Sequence, residues 1–173
     1  MSDAKVPTSP AVKMLQPLIG DWTMRITWSE TTHRLVGGPQ TIETPSHFEW
    51  VLGGDFVLQT VGSNGGASAR WMIGRDETSG AFSALYADDR GVSRIYEMSF
   101  SGGLWKIWRA ASGFHQRFEG RFSSDGKKIA GKWEKSEDGV AWEKDFGLTY
   151  VRAGQRLTCC LHEAARCGGN LFV

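Results

Sequence analysis

A chain of 173 residues carrying 20 Lys plus Arg against 19 Asp plus Glu has room for one domain with a sizeable core, and no net charge with which to hold nucleic acid or an anionic membrane. Its apolar content is that of a globular protein rather than a disordered one, and no run of about 18 apolar residues offers a transmembrane helix. The unusual counts are 8 Trp, 9 Phe and 22 Gly, a mixture that suits many strands joined by tight turns.

In chain order, residues 1–9 read as a polar, disordered leader; Met1 to Pro7 contain no apolar core or cleavage site of a signal peptide. Ser9 followed by Pro10 is a helix start, a hydroxyl N-cap before Pro at the first helical position. Val12, Met14 and Leu15 give an apolar stripe and Pro17 ends it, which predicts a helix of about two turns over 10–16. So short a helix needs an apolar surface to lie on. From Gly20 the period changes to two: Trp22, Met24, Ile26 and Trp28 alternate with Asp21, Thr23, Arg25 and Thr27, as in a half-buried strand. Residues 31–42 read as an irregular connection, with His33 in it. Further strands are centred near Phe48, Leu58, Trp71, Ala84, Tyr96, Ile107, Gln116, Gly131 and Phe146. Gly53-Gly54-Asp55, Asn64-Gly65-Gly66, Gly102-Gly103, Asp125-Gly126 and Asp138-Gly139 are among the turns that separate them. Asn-Gly and Asp-Gly supply the positive φ of tight hairpins.

Connections this short join antiparallel neighbours and leave no room for parallel crossovers. A meander of about ten strands exposes two edges unless it closes, so the expected fold is all-β: an up-and-down antiparallel barrel over 10–152, capped at one end by the short N-terminal helix, in preference to a sandwich, which would bury the same pattern without a cavity. Ten strands enclose more than their own side chains fill, so interior space is expected. The tail, 153–173, has a different character. Leu157, Cys160, Leu161 and Ala164 have helical spacing, and all three Cys lie there, in the last fifteen residues. The barrel body thus has no disulfide framework, which suits a reducing, cytoplasmic compartment. Cys159, Cys160, His162 and Cys167 do not match a standard zinc spacing, so no metal is expected.

Gly20-Asp21-Trp22 after the short helix, with Thr149-Tyr150-Val151-Arg152 ending the last strand, resembles the calycin signature. That resemblance implies that Trp22 on the first strand packs against Arg152 from the last and closes one end of the barrel. More closely, the chain resembles a bacterial family of uncharacterised domains of the DUF1579 type. The similar segments are Leu52-Gly53-Gly54-Asp55-Phe56, Ile73-Gly74-Arg75-Asp76, Tyr86-Ala87-Asp88-Asp89-Arg90-Gly91, Gly131-Lys132-Trp133-Glu134-Lys135-Ser136-Glu137-Asp138-Gly139 and Trp142-Glu143-Lys144-Asp145-Phe146. The resemblance covers about residues 12–152. These are turn and closure elements; they imply a fold, and the family brings no activity with it. The chain is also similar to the nitrobindin-like haem barrels in its Gly-x-Trp start. It has no His between His115 and His162 where those place the iron ligand, so no haem or other cofactor is expected.

Alternation predicts an inward set of Trp22, Met24, Ile26, Phe48, Trp50, Phe56, Leu58, Trp71, Ile73, Phe82, Tyr86, Tyr96, Met98, Phe114, Phe118, Trp133, Phe146 and Tyr150. Most of these would simply pack a core. Trp50, Tyr86, Tyr96 and Trp108 are the candidate walls of an apolar ligand pocket. Gln116 between Phe114 and Phe118, Lys144 between Trp142 and Phe146, Arg109 after Trp105 and Ile107, and Arg94 beside Tyr96 are its candidate polar groups. An inward Arg or Lys needs a carboxylate, from the protein or from a ligand. His47 and Glu49 read as a solvated strand face, as does His115. No nucleophile elbow or phosphate-cradling Gly motif is present.

The function these features point to is binding of a small hydrophobic or amphipathic molecule in the barrel. The alternative is a cavity enzyme, an isomerase, cyclase or lyase of a lipid-like or polyketide-like substrate, which would need a polar residue of shifted pKa inside. Haem or nitric oxide binding is the third reading. Nothing in the sequence separates a monomer from a homodimer.

Overall fold

The first strand pairs with the last. In the computed structural model, which describes residues 10–62 and 68–154, ten antiparallel strands form one closed barrel in meander order. They are β1 (Gly20–Trp28), β2 (Thr41–Val51), β3 (Phe56–Val61), β4 (Ala69–Arg75), β5 (Phe82–Asp88), β6 (Ser93–Ser101), β7 (Leu104–Arg109), β8 (His115–Phe122), β9 (Lys128–Ser136) and β10 (Glu143–Arg152). Every centre expected from the sequence falls inside one of them. The leader and the Cys-bearing tail, for which a short helix was expected, lie outside the described residues.

Three local expectations are corrected. The N-terminal helix α1 spans only Pro10–Lys13, followed by a 3-10 turn at Gln16–Leu18. Val12, Leu15 and Leu18 are buried and Met14 faces out, because the tighter turn at Pro17 swings the chain off one helical face. The supposedly irregular connection holds a second helix, α2 (Glu30–Val36), started by Ser29, whose side chain accepts from Thr32 N. Third, β3 turns Val57, Gln59 and Val61 inward, not Phe56 and Leu58. The Leu52–Gly54 turn, with Gly53 at φ 79°, rotates the chain before β3 begins. Phe56 instead covers Gly74 of β4, leaving no space there for a Cβ.

The closed end is built on one contact. Trp22 and Arg152 face each other in the β1–β10 register. The Arg152 guanidinium lies 4.3 Å from the Trp22 ring centroid and donates to the carbonyls of Ile19 at 2.8 Å and Pro17 at 2.7 Å. The Trp22 Nε1–H donates to Leu18 O at 2.7 Å. The carbonyls that the 3-10 turn cannot satisfy internally are thus taken by the two residues that join the barrel's seam. Phe122 and Tyr150 meet the edges of Trp22.

Lysine cannot stack as a plane on the indole while it donates to the two carbonyls. Arg152→Lys is therefore expected to lose about 1–2 kcal/mol in urea melts, and Trp22→Ala about 3–5 kcal/mol. An Arg152→Lys melt that overlays wild type would contradict this account of the seam.

Candidate functional site

Opposite α1 the barrel is open. The ends of β1, β3, β5, β7 and β9 and the starts of β2, β4, β6, β8 and β10 meet there, and a chamber of about 460 Å³ runs inward from them. Its floor carries Trp105, Phe118 and Tyr150. Gln59 Nε2 donates to Ser46 Oγ at 3.0 Å and to the Tyr150 hydroxyl at 3.1 Å. This holds the Gln59 amide and the Tyr150 hydroxyl of the floor in bonded positions. The indole N–H of Trp105 is buried without an acceptor among the described residues. The waist is aromatic: Trp71 lies 4.8 Å from Tyr86, 5.1 Å from Tyr96 and 6.1 Å from Trp133, centroid to centroid.

The mouth is polar and is organised by a carboxylate that alternation missed. The β9–β10 register shifts between Lys144 and Phe146, so Asp145 is the extra residue of a bulge, where a side chain can be re-aimed. Asp145 turns inward and is 6% exposed; Lys144, the expected inward cation, lies exposed outside. Gln116 Nε2 donates to Asp145 Oδ2 at 3.1 Å, and the Tyr96 hydroxyl donates to Gln116 Oε1 at 2.7 Å. Thr32 of α2 donates to Asp145 Oδ1 at 2.9 Å and accepts from Lys135 Nζ at 3.2 Å. One carboxylate thus ties the helix to the barrel wall. On the other side of the mouth, the Tyr86 hydroxyl donates to Asp88 Oδ2 at 2.8 Å, and Arg90 pairs with the same oxygen.

Of the residues proposed from the sequence, Tyr86, Tyr96 and Gln116 line the chamber. Arg109 stands at its rim, 5.8 Å from the Tyr96 centroid. Trp50 does not reach the chamber; it sits at the closed end and donates to Gln16 Oε1 at 3.2 Å, because its place near the end of β2 is beside the cap. Trp108 alternates with the buried Trp105 and Ile107 and so stands on the outer face, in a groove with Lys106, Arg117 and Glu134. His47 pairs with Asp21 across the strands at 2.7 Å, outside. No histidine among the described residues lines the chamber. Gln59, Thr32, Lys135 and Asp145 are its additional polar members.

Burial holds the interior phenols neutral. The Tyr86 hydroxyl is pushed up to about 12, by burial first and by its bond to Asp88 second. Full burial raises Tyr150 further, against the bond from Gln59. Burial also raises Tyr96, opposed by Arg94 and Arg109. Asp88 is held well below the carboxylate range, mainly by its bond from Arg90 and also by that from Tyr86.

No family model matches the chain, and no curated protein matches it. Among solved structures, Rv2717c from M. tuberculosis aligns with a TM-score of 0.54 at 17% identity, covering 84% of this chain and 99% of that one. At that identity the likeness is one of fold. The chain is a closed ten-stranded up-and-down barrel with a chamber open at one end.

Two outcomes follow from the site. Unfolded tyrosines ionise near pH 10 while the buried ones stay neutral, so their contribution to stability is complete below about pH 10 and drains away as pH rises towards 12. Urea midpoints should fall over that window, and less steeply in Tyr86→Phe. Asp145→Ala removes the acceptor of both Gln116 and Thr32 and is expected to cost about 1–3 kcal/mol. It should also speed amide exchange in α2 more than in β1; uniform acceleration would contradict the tie.

Proposed function

We propose that this barrel is a binding module for one small amphipathic molecule, held with its apolar body among the waist and floor rings and its polar end at the mouth. The observation that carries this reading is the chamber itself. At about 460 Å³ it lies within the roughly 300–1,000 Å³ of small-molecule sites, and it has their usual composition, mostly apolar walls with a few placed polar groups. The polar groups are graded: few and buried at the floor, denser at the mouth. An amphipathic ligand matches such a gradient better than a pure hydrocarbon does.

The Trp22–Arg152 closure and the turn motifs support placing the chain with calycin-type domains of the DUF1579 kind, and the Cys-free barrel supports a cytoplasmic setting. The second reading, a shielded isomerase, cyclase or lyase, draws on Asp145, a carboxylate buried at the chamber wall. Both of its oxygens are already engaged by Gln116 and Thr32, which favours a positional role over proton transfer and hence binding over catalysis.

Native mass spectrometry and titration with the neutral, environment-sensitive dye Nile red test the binding reading. One dye per chain is expected, with emission shifted to the blue. Ala69→Trp, which places a large ring on the chamber wall, should weaken uptake by about tenfold or more. A barrel that takes up no apolar probe contradicts the reading.

A further inference from the structure

The cations around the mouth are not equally matched. Lys135 has Asp145 and Glu143 beside it, and Arg90 has Asp88. Arg94 and Arg109 form no ion pair with any described carboxylate within 4.0 Å. Both belong to one patch. Arg94 shares the inner face of β6 with Tyr96 and lines the chamber; its guanidinium is 4.6 Å from the centroid of Phe114. Arg109 faces Gln116 in the β7–β8 register, and Gln116 accepts from Tyr96. Both guanidinium groups therefore lie near one buried hydroxyl, that of Tyr96. That hydroxyl has spent its proton on Gln116 and keeps only lone pairs for them. Both charges act on Tyr96, opposing the burial that raises its pKa. Two like charges that converge on a partly desolvated site are costly until an anion joins them.

The anion is a single charge on a planar head. Asp145 lies one hydrogen bond beyond Gln116 and Asp89 stands on the rim, so a dianion would meet two carboxylates. A carboxylate matches the fork geometry of Arg. The wall next to the patch selects the body. Trp133 is tilted by 31° from each of Trp71, Phe118 and Phe146, so this wall is a set of ring faces inclined to that of Trp133. Contact with ring faces, which favours offset or tilted partners, rewards a flat ring system over a flexible chain.

We propose that Arg94 and Arg109 form the anion-binding pole of the chamber, and that its ligand class is a flat aromatic monocarboxylate. The carboxylate lies on the two guanidinium groups beside Tyr96, and the rings lie along the Trp71–Trp133 wall. This assignment rests on the chamber being a binding site at all, and the test separates the two claims. Nile red reports occupancy, and three competitors displace it: 2-naphthoate, 2-naphthylmethanol with the same body and no charge, and decanoate with the same charge on a flexible chain. Naphthoate is expected to compete at concentrations about tenfold lower than naphthylmethanol, as for a charged hydrogen bond, and about tenfold lower than decanoate, whose flexible chain loses rotamer freedom on binding. Arg94→Gln and Arg109→Gln should each weaken naphthoate by about tenfold and leave Nile red and naphthylmethanol within about twofold. Arg94→Lys, which keeps the charge, should recover part of the loss. Equal competition by naphthoate and naphthylmethanol in the wild type, or equal loss of all three competitors in the Gln variants, overturns the anion pole while dye uptake leaves the chamber reading standing. Decanoate competing as well as naphthoate overturns the flat body. Absence of dye uptake removes the chamber reading and this assignment with it.

Discussion

Ten strands in meander order leave two edges, and the molecule exists in this form because β1 and β10 pair along their length. A stack of Arg152 on Trp22 fixes the register of that seam. Register at the seam sets the shear of the barrel, and shear with strand number sets its width. The width is what leaves a chamber beyond the packed floor. The same two side chains satisfy the carbonyls of the cap at Pro17, Leu18 and Ile19, so one end is closed by the interaction that joins the sheet. Opening is left to the other end, where the described residues form no equivalent cap and where β-strand ends carry the polar side chains.

Most of the barrel was legible because antiparallel strands write themselves as alternation punctuated by Gly, and nearly every turn here has that form. The direction in which a strand's alternation points is less legible. It depends on the turn that precedes it, and β3 shows this: a positive φ at Gly53 puts Gln59 on the floor where Leu58 was expected. The bulge at Asp145 has the same effect on β10. One inserted residue replaces an expected lysine by a carboxylate, and nothing in Trp142-Glu143-Lys144-Asp145-Phe146 marks which residue is the extra one. Helix α2 had a signal that alternation overlooks, a serine N-cap at Ser29 three residues before Thr32. Trp108 failed for a simpler reason: its neighbours Trp105 and Ile107 already claimed the inner face.

The candidate site is accordingly a mixture of readable and unreadable parts. Tyr86, Tyr96, Gln116 and Arg94 followed from parity alone. The network that holds them, through Asp145 to Thr32 on α2, joins residues far apart in sequence by way of a helix and a bulge. Its physical effect is to tie the polar groups of the mouth together beyond a waist of aromatic rings. On the proposed reading, shape and the polarity gradient along its axis would be what the chamber selects by, which is the physical content of calling it an amphipathic site.

The central claim is that small molecules occupy this chamber and no other surface. The indole N–H resonances of the protein report on it directly, since Trp28, Trp71, Trp105 and Trp133 line the chamber while Trp22 is sealed under the cap and Trp108 stands on the outer wall. Two-dimensional nitrogen–proton spectra recorded during titration with 2-naphthylmethanol should shift the indoles of Trp71, Trp105 and Trp133 together, with a single saturation curve, and leave Trp22 and Trp108 in place. Shifts confined to Trp108 and Trp142, or no saturable shift in any indole, would contradict the account.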